Sequence, residues 1–456
     1  MIYRIFPSKD TFISNVKRNN VPQTGSNFGA SEILELFKKT GVSGSSGYAA
    51  SSSIGRILLE FDLDEIAKLT ASSVAPTTGQ TYHLKLFDAQ HAEELPSSFD
   101  IEISRMSQSW DEGKGIDNDN YADKGVANWE KAKTSVWWDT TGSDFVESTI
   151  ATYSFDTGHE DIEVDVSDII GAWLTGGMPN YGFMVKLTDT EEWDANDYYT
   201  KKFHARNTHF LDRRPTIEMR WDDSVKDQRS VFLFDITSSL YLYNKQRGQL
   251  TNISGVGTGN DVLTVDVMDL SGTVQTVSAS HTGLTGIYSA SFALASSSYS
   301  GSLFSDAWSL NGKSYMTGTF VPHNDGAYTD NEQDEYQVQV KNLKPEYEIS
   351  EKARLNLFVK TRNYNPAVVQ TGSLVLRNTI IEKGYYRIDN ALTNKVIIPL
   401  GTGSTETTRL SYDENGNYFS FYMNSLAQSE VYKIVFFFNV DGQLQKIDND
   451  YRFRVK

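Results

Sequence analysis

A chain of 456 residues, 39% hydrophobic and 22% charged, has enough apolar surface for stable cores and exceeds what one core supports, so two to four folded domains are expected. Its net charge is −17, and no basic cluster is denser than Phe37-Lys38-Lys39, Val16-Lys17-Arg18 or Asp212-Arg213-Arg214-Pro215, which excludes general binding of nucleic acid, a partner that demands a basic stripe. With no cysteine, disulfides, thiolate catalysis and Cys-ligated zinc are excluded together.

Along the chain, the apolar period is mostly two. The first residues carry no basic region followed by an apolar one, so no signal peptide is expected. Residues 38–53 are rich in glycine and serine and read as a long flexible loop. The run RILLEFDL over 56–63 puts Ile57, Leu59, Phe61 and Leu63 on one face of a strand and Leu58 on the other. Further strands are expected within 81–88, 161–169, 181–189, 261–269, 354–361 and 395–400, with Phe183, Val185 and Leu187 buried in the third of these runs. Only 63–70 and 166–177 have helical spacing, the second closed by glycines that suit a C-terminal cap. No apolar run approaches the roughly 20 residues that span a bilayer, so no membrane partner is expected.

The fold class is therefore all-β. Punctuation divides the chain into 1–223, 229–325 and 336–456. A charged linker precedes the second segment and the polar run 327–335 precedes the third. The last two have the size and strand rhythm of immunoglobulin-like sandwiches.

Residues 109–138 concentrate the chemistry-bearing types, with four of the eight tryptophans between acids, asparagines and glycines. Asp111, Glu112, Asp117, Asp119 and Asp123 are hard oxygen donors, and Asp117, Asp119 and Asp123 are the candidate Ca²⁺ ligands. Their spacing lacks the sixth-position glycine and twelfth-position glutamate of an EF-hand, and an exposed acidic turn is the favoured reading. His204 and His209 are five apart, a spacing that puts them on opposite faces of a strand, so no metal is expected there. No Gly-x-Ser-x-Gly elbow and no phosphate-cradling loop with a lysine occurs, and a carboxylate pair is uninformative among 59 acids. No cofactor is expected. Trp110, Trp129, Trp137, Trp138, Trp173, Trp193 and Trp221 all lie in the first segment, where tryptophan fills a core or offers a flat platform for sugar rings. Trp137 and Trp138 are the candidate sugar-stacking pair.

Short motifs in fixed order, KDTFI (9–13), NFGAS (27–31), RILLEFDL (56–63), SWDEG (109–113), VANWE (126–130), DIEVDVSDIIGAWLTGGMPNYGFMVKL (161–187) and RRPTIEMRW (213–221), resemble DNRLRE domains over about 220 residues. That resemblance implies a jelly-roll β-sandwich like a carbohydrate-binding module, of a kind found in secreted bacterial and archaeal surface proteins and in tailed-phage virions. GIYSASF (286–292), RLNLFVKTRNYNP (354–366), RLSYDENGNYFSFYMNSL (409–426) and YRFRV (451–455) are similar to the tandem immunoglobulin-like segments of phage neck, collar and tail proteins. Together the resemblances imply a non-enzymatic virion structural protein of a tailed bacteriophage, assembled in the host cytoplasm. Its partners would be portal, neck or tail components and copies of itself, arranged as a ring of heterologous contacts. The alternative is a surface protein that attaches to a polysaccharide, such as a host surface glycan, through the jelly roll. In either case 109–138 is expected to be a loop pinned by buried Trp110 and Trp129, its acids facing solvent or a subunit contact.

Overall fold

The computed structural model describes all residues except 19–20, 41–51, 73–74, 77, 93–94, 97, 119, 147, 149, 195–197, 258, 300–302, 325–335, 362–377, 404 and 441. Most of the expected 38–53 loop and the 327–335 break thus lie outside the described residues. The fold is a multi-domain all-β sandwich. Its contacts divide it into two units, Tyr3–Ala67 with Thr81–Met219, and Met1–Ile2 with Lys68–Gln80 and Arg220–Lys456.

In the first unit a four-stranded sheet runs in the order Ile2–Ile5, Thr216–Arg220, Thr81–Leu86, Ile162–Asp165. Alternation in Thr81–Leu86 buries Tyr82, Leu84 and Leu86 while Thr81, His83 and Lys85 stay half-exposed, as period two requires. A seven-stranded sheet follows the order Ala151–Phe155, Phe99–Arg105, Phe183–Leu187, Ser52–Phe61, Ile33–Thr40, Tyr198–His204, and Pro7–Ser14 also pairs with Ser52–Phe61. Its central strands depart from simple alternation. All five residues of Phe183–Leu187 are buried, and so are Ile57, Leu58 and Leu59, because a second layer covers the sheet's other face.

The helix Ser167–Leu174 buries Ile169, Ile170 and Trp173 and ends in a Schellman motif, with Gly176 N donating to Trp173 O and Gly177 N to Ala172 O. Gly176 takes φ +71°, the left-handed conformation that this stop requires. A helix at Asp64–Ala71 matches the other expected one. The short helix Asp189–Trp193 was not expected: five residues are too few for a periodic signal.

In the second unit, residues 238–320 form a six-stranded sheet in the order Ser238–Tyr243, Ile287–Phe292, Gly272–His281, Leu263–Asp269, Phe304–Leu310, Lys313–Phe320. Gly272–His281 pairs along most of its length with Leu263–Asp269, but its last two residues pair with Ile287–Phe292. Buried Trp308, Phe232, Phe292, Phe304 and Phe320 share its core. Beside them a buried charge network is fully bonded: Arg229 lies between Asp227 and Asp306, Nη2 to Oδ2 of Asp306 being 2.6 Å, and Trp308 Nε1 donates to the same Oδ2 at 2.7 Å. Residues 336–456 build a separate core between a four-stranded sheet, Tyr336–Val340, Lys352–Thr361, Gly416–Tyr422, Ser411–Asp413, and a five-stranded sheet, Glu346–Tyr347, Gln443–Val455, Val431–Val440, Gly384–Asn390, Val396–Ile398. There Tyr386 stacks on Phe419 with 4.3 Å between centroids. The charged linker is not free chain. Tyr412 N donates to Val225 O at 2.9 Å and Asp227 N to Tyr412 O at 3.1 Å, so the linker adds a short parallel bridge to the edge strand Ser411–Asp413.

Candidate functional site

The second layer over the seven-stranded sheet is the tryptophan-rich loop. Ile13, Ile54, Leu58 and Met184 project from the sheet and pack against Met106, Trp110, Ala127, Trp129, Ala132 and Trp138 from the loop. Two of the buried indoles find an acceptor where their edges turn polar: Trp110 Nε1 donates to Tyr181 O at 3.1 Å and Trp138 Nε1 to Asn128 O at 2.7 Å. Within the loop Asp111 N donates to Ala132 O and Ala127 N to Asp111 O, so its two limbs run side by side.

Buried Asn27 ties this loop to the chain before it. Its Nδ2 donates to Glu112 O at 2.6 Å and Ala127 O at 2.7 Å, while Oδ1 accepts from Gly29 N at 3.0 Å and Gly115 N at 2.9 Å. A Cβ on Gly115 would lie 2.0 Å from Asn27 O, and one on Gly29 would lie 2.2 Å from Glu112 O, so the close approach demands glycine at both.

Charge pins reinforce the loop. Both oxygens of Glu112 accept from Arg206 Nη2 at 2.6 Å, and Oε1 also accepts from Asp10 N at 2.8 Å. Asp10 accepts from Arg206 N, and burial pushes its carboxyl up to about 7. On the same sheet Arg56 forks onto Glu192, with Nε to Oε1 at 2.9 Å and Nη2 to Oε2 at 2.6 Å, and donates through Nη1 to Gly142 O at 2.8 Å. Lys186 is buried between Glu102 and Asp189. Glu112 therefore differs from the expectation that the loop's acids face outward; it is a structural counter-ion.

The structure separates the candidate sugar-stacking pair. Trp137 is 57% exposed and Trp138 5%, because adjacent residues of an extended segment point to opposite sides and only one side faces open solvent. Trp138 belongs to the core and offers no platform. Trp137 carries Lys131 Nζ 4.7 Å above its ring. Of the candidate Ca²⁺ ligands, Asp117 Oδ1 accepts from Asn120 N and Tyr121 N, and Asp123 Oδ2 accepts from Lys114 N at 2.7 Å; Asp119 lies outside the described residues. These two carboxylates brace the loop's own backbone, and among the described residues no group of three or more His, Asp or Glu has the arrangement to hold a metal. His204 is buried against Thr208, whereas exposed His209 pairs with Glu32 at 3.0 Å, so the two do not meet. The sequence reading missed Ile116, Tyr121 and Val136, which are exposed on this loop with Trp137. Their signal is apolar side chains inside a polar run with no period to bury them.

An open groove of about 640 Å³ occurs in the second unit, lined by Thr78, Asp222, Asp261, Val262, Ser280 and His281 among others. His281 Nδ1 accepts from Gly283 N at 3.1 Å, which leaves Nε2–H for Asn252 Oδ1 at 3.2 Å, and burial lowers its pKa. A neutral ring with both nitrogens engaged is no ready proton acceptor.

No family model and no curated protein matches the chain. Among solved structures it is similar to a chimeric titin Z1Z2–Z1Z2 tandem, with 9% identity over 50% of this chain and 95% of that one at a TM-score of 0.16. It is also similar to the N-terminal Ig1–2 module of the Drosophila receptor protein tyrosine phosphatase DLAR, with 6% identity over 52% and 96% at 0.15. A third is Salmonella alpha-2-macroglobulin reacted with methylamine, with 8% identity at 0.17, where the whole of this chain spans 28% of that protein. At such TM-scores the likenesses carry no functional conclusion, and the fold class rests on this chain's own sheets.

Proposed function

We propose that the chain is a non-enzymatic structural component of a tailed-bacteriophage virion, at the neck, collar or tail, acting through protein–protein contacts. The observation that carries this reading is how the chemistry-bearing loop uses its groups: Glu112, Asp117, Asp123, Asn27 and Asn128 hold the loop together, and Ile116, Tyr121, Val136 and Trp137 are exposed on it among polar groups such as Asp111 and Lys124. Buried polar groups bonded to one another build a rigid scaffold, and exposed apolar groups above it suit a contact surface. The order of short motifs across the first 220 residues supports the same reading. Mass spectrometry of purified particles tests it: the chain is expected at fixed stoichiometry, and its absence removes the proposal.

Trp137 favours a second reading, attachment to a polysaccharide, since an exposed indole held beside a lysine suits a sugar ring. Saturable binding on a glycan array that Trp137→Ala abolishes would support it; binding unaffected by that change would remove it.

A further inference from the structure

We propose that Lys201 and Asp88 are a site of covalent self-modification: the Lys201 amine condenses with the Asp88 carboxyl to an intramolecular amide, releasing one water. The inference stands apart from the virion reading and concerns the first unit alone.

The backbone brings the two side chains together. Tyr198–His204 is the last strand of the seven-stranded sheet, and Thr81–Leu86 belongs to the four-stranded one. Just past Thr81–Leu86 the chain meets that last strand: His204 N donates to Phe87 O at 3.0 Å and Ala89 N to Lys202 O at 2.9 Å, so Asp88 stands opposite Phe203 in an antiparallel bridge. Lys201 lies two residues from Phe203 on the same face, the diagonal position from which a long side chain reaches its neighbour. Its Nζ meets Asp88 Oδ1 at 2.5 Å, with the lysine side chain 1% exposed and the aspartate 10%. Asp88 is held in turn by its own N–H, which donates to Asp161 Oδ1 at 2.7 Å.

The surroundings of the amine suit a nucleophile. The rings of Phe155 and Phe203, both buried, have their centres 5.0 and 5.1 Å from Nζ and keep water away from it. Gly158 O at 2.8 Å and Glu160 O at 3.2 Å are its other partners. A neutral lysine amine has two N–H groups and one lone pair; the two carbonyls take the hydrogens, and the lone pair is left for the Asp88 carboxyl. Those carbonyls are fixed, because Glu160 Oε1 accepts from Asp156 N at 3.1 Å and from Thr157 Oγ1 at 2.8 Å and so closes the 156–160 turn. Burial also draws the Lys201 pKa down, against the pull of Asp88, Glu160 and Asp161. The other two buried lysines of this sheet lack such a setting: Asp194 against Lys38, and Glu102 and Asp189 against Lys186, are each more exposed than Asp88.

The step balances without any further reagent. One proton of the ammonium passes along the hydrogen bond to Asp88 Oδ1, which gives a neutral amine and a carboxylic acid. The amine lone pair forms the Nζ–Cγ bond. A second proton then moves from nitrogen to the departing oxygen, the Cγ–Oδ1 bond breaks, and that oxygen leaves as water. The third hydrogen remains as the amide N–H. A buried ion pair carries a desolvation cost that a neutral amide avoids. In a chain with no cysteine, the bond supplies the covalent tie between two sheets that a disulfide supplies elsewhere.

Intact mass spectrometry of the full-length chain, incubated folded at neutral pH and then denatured, is the test. The wild type is expected one water lighter than its sequence mass, and tandem mass spectra of a digest should show the peptide holding Asp88 joined to the peptide holding Lys201. Lys201→Arg and Asp88→Ala should each keep the full mass of their own sequence. In denaturing electrophoresis the wild type, closed into a loop from Asp88 to Lys201, should run ahead of both variants. The wild-type mass and the linked peptide are read without requiring either variant to fold. A wild type at its full sequence mass means an ion pair only and overturns the proposal. So does a lost water that fragmentation places elsewhere, such as a succinimide at an Asp-Gly step, or a loss that Lys201→Arg retains.

Discussion

Tyr243 and Tyr418 share a hydrogen bond of 2.8 Å between their hydroxyls, and this bond joins the two sandwiches of the second unit. Around it Val225, Ile287 and Tyr418 form a small apolar cluster with Tyr241, Tyr243 and Leu284 packed on it. Burial raises the pKa of both hydroxyls, that of Tyr418 to about 12, so the pair stays neutral in ordinary solution. Tyr243→Phe or Tyr418→Phe alone leaves a buried hydroxyl unmatched and is expected to cost about 1–3 kcal/mol, whereas the double variant should cost less than the sum. Denaturant unfolding of the four proteins measures the coupling; strict additivity would contradict it.

The neighbouring tryptophans should separate sharply by stability. Trp138→Ala and Trp110→Ala remove core aromatics and are expected to cost about 3–5 kcal/mol each. Trp137→Ala, on the exposed side, should stay within about 0.5 kcal/mol. Urea midpoints of the three variants decide this, and similar losses at 137 and 138 would contradict the placement.

Asp10 gives a pH signature. Its folded pKa is about 7, above the ordinary 3.8, so between those values the folded state holds a proton that the unfolded state has released. Its contribution to stability is therefore complete below about pH 4, declines as pH rises toward 7, and is lost above that. Asp10→Asn keeps an oxygen for Arg206 N without titrating. The stability of wild type relative to this variant should fall by a few kcal/mol between pH 4 and 8, at about 1.4 kcal/mol per pKa unit. A flat difference across that range would contradict the buried carboxyl.

Arg229→Met leaves Asp227 and Asp306 facing each other without a cation and is expected to cost about 3–5 kcal/mol at neutral pH. The loss should be smaller at pH 5, because burial has already raised Asp227 to about 6 and removing the cation favours protonation further. Equal losses at both pH values would contradict the network's charge.

The period-two strands and the helix stop at Gly176-Gly177 were legible in the sequence because both are set by neighbours a few residues away. Leu58 carried a further hint: an apolar residue on the nominal outer face of its strand foretells a covering layer. That the cover is loop 107–150 was not legible, since Asn27, Glu112 and Arg206 meet across 85 to 179 residues of chain. The same distance hid the fates of Trp137 and Trp138. Alternation places them on opposite sides, but only the sheet beneath decides which side is dry.

A reconstruction of the purified particle is the most direct test of the virion assignment. The account predicts density for this chain's sandwiches repeated around the neck or tail axis. Particles whose density is fully explained by other chains would contradict it.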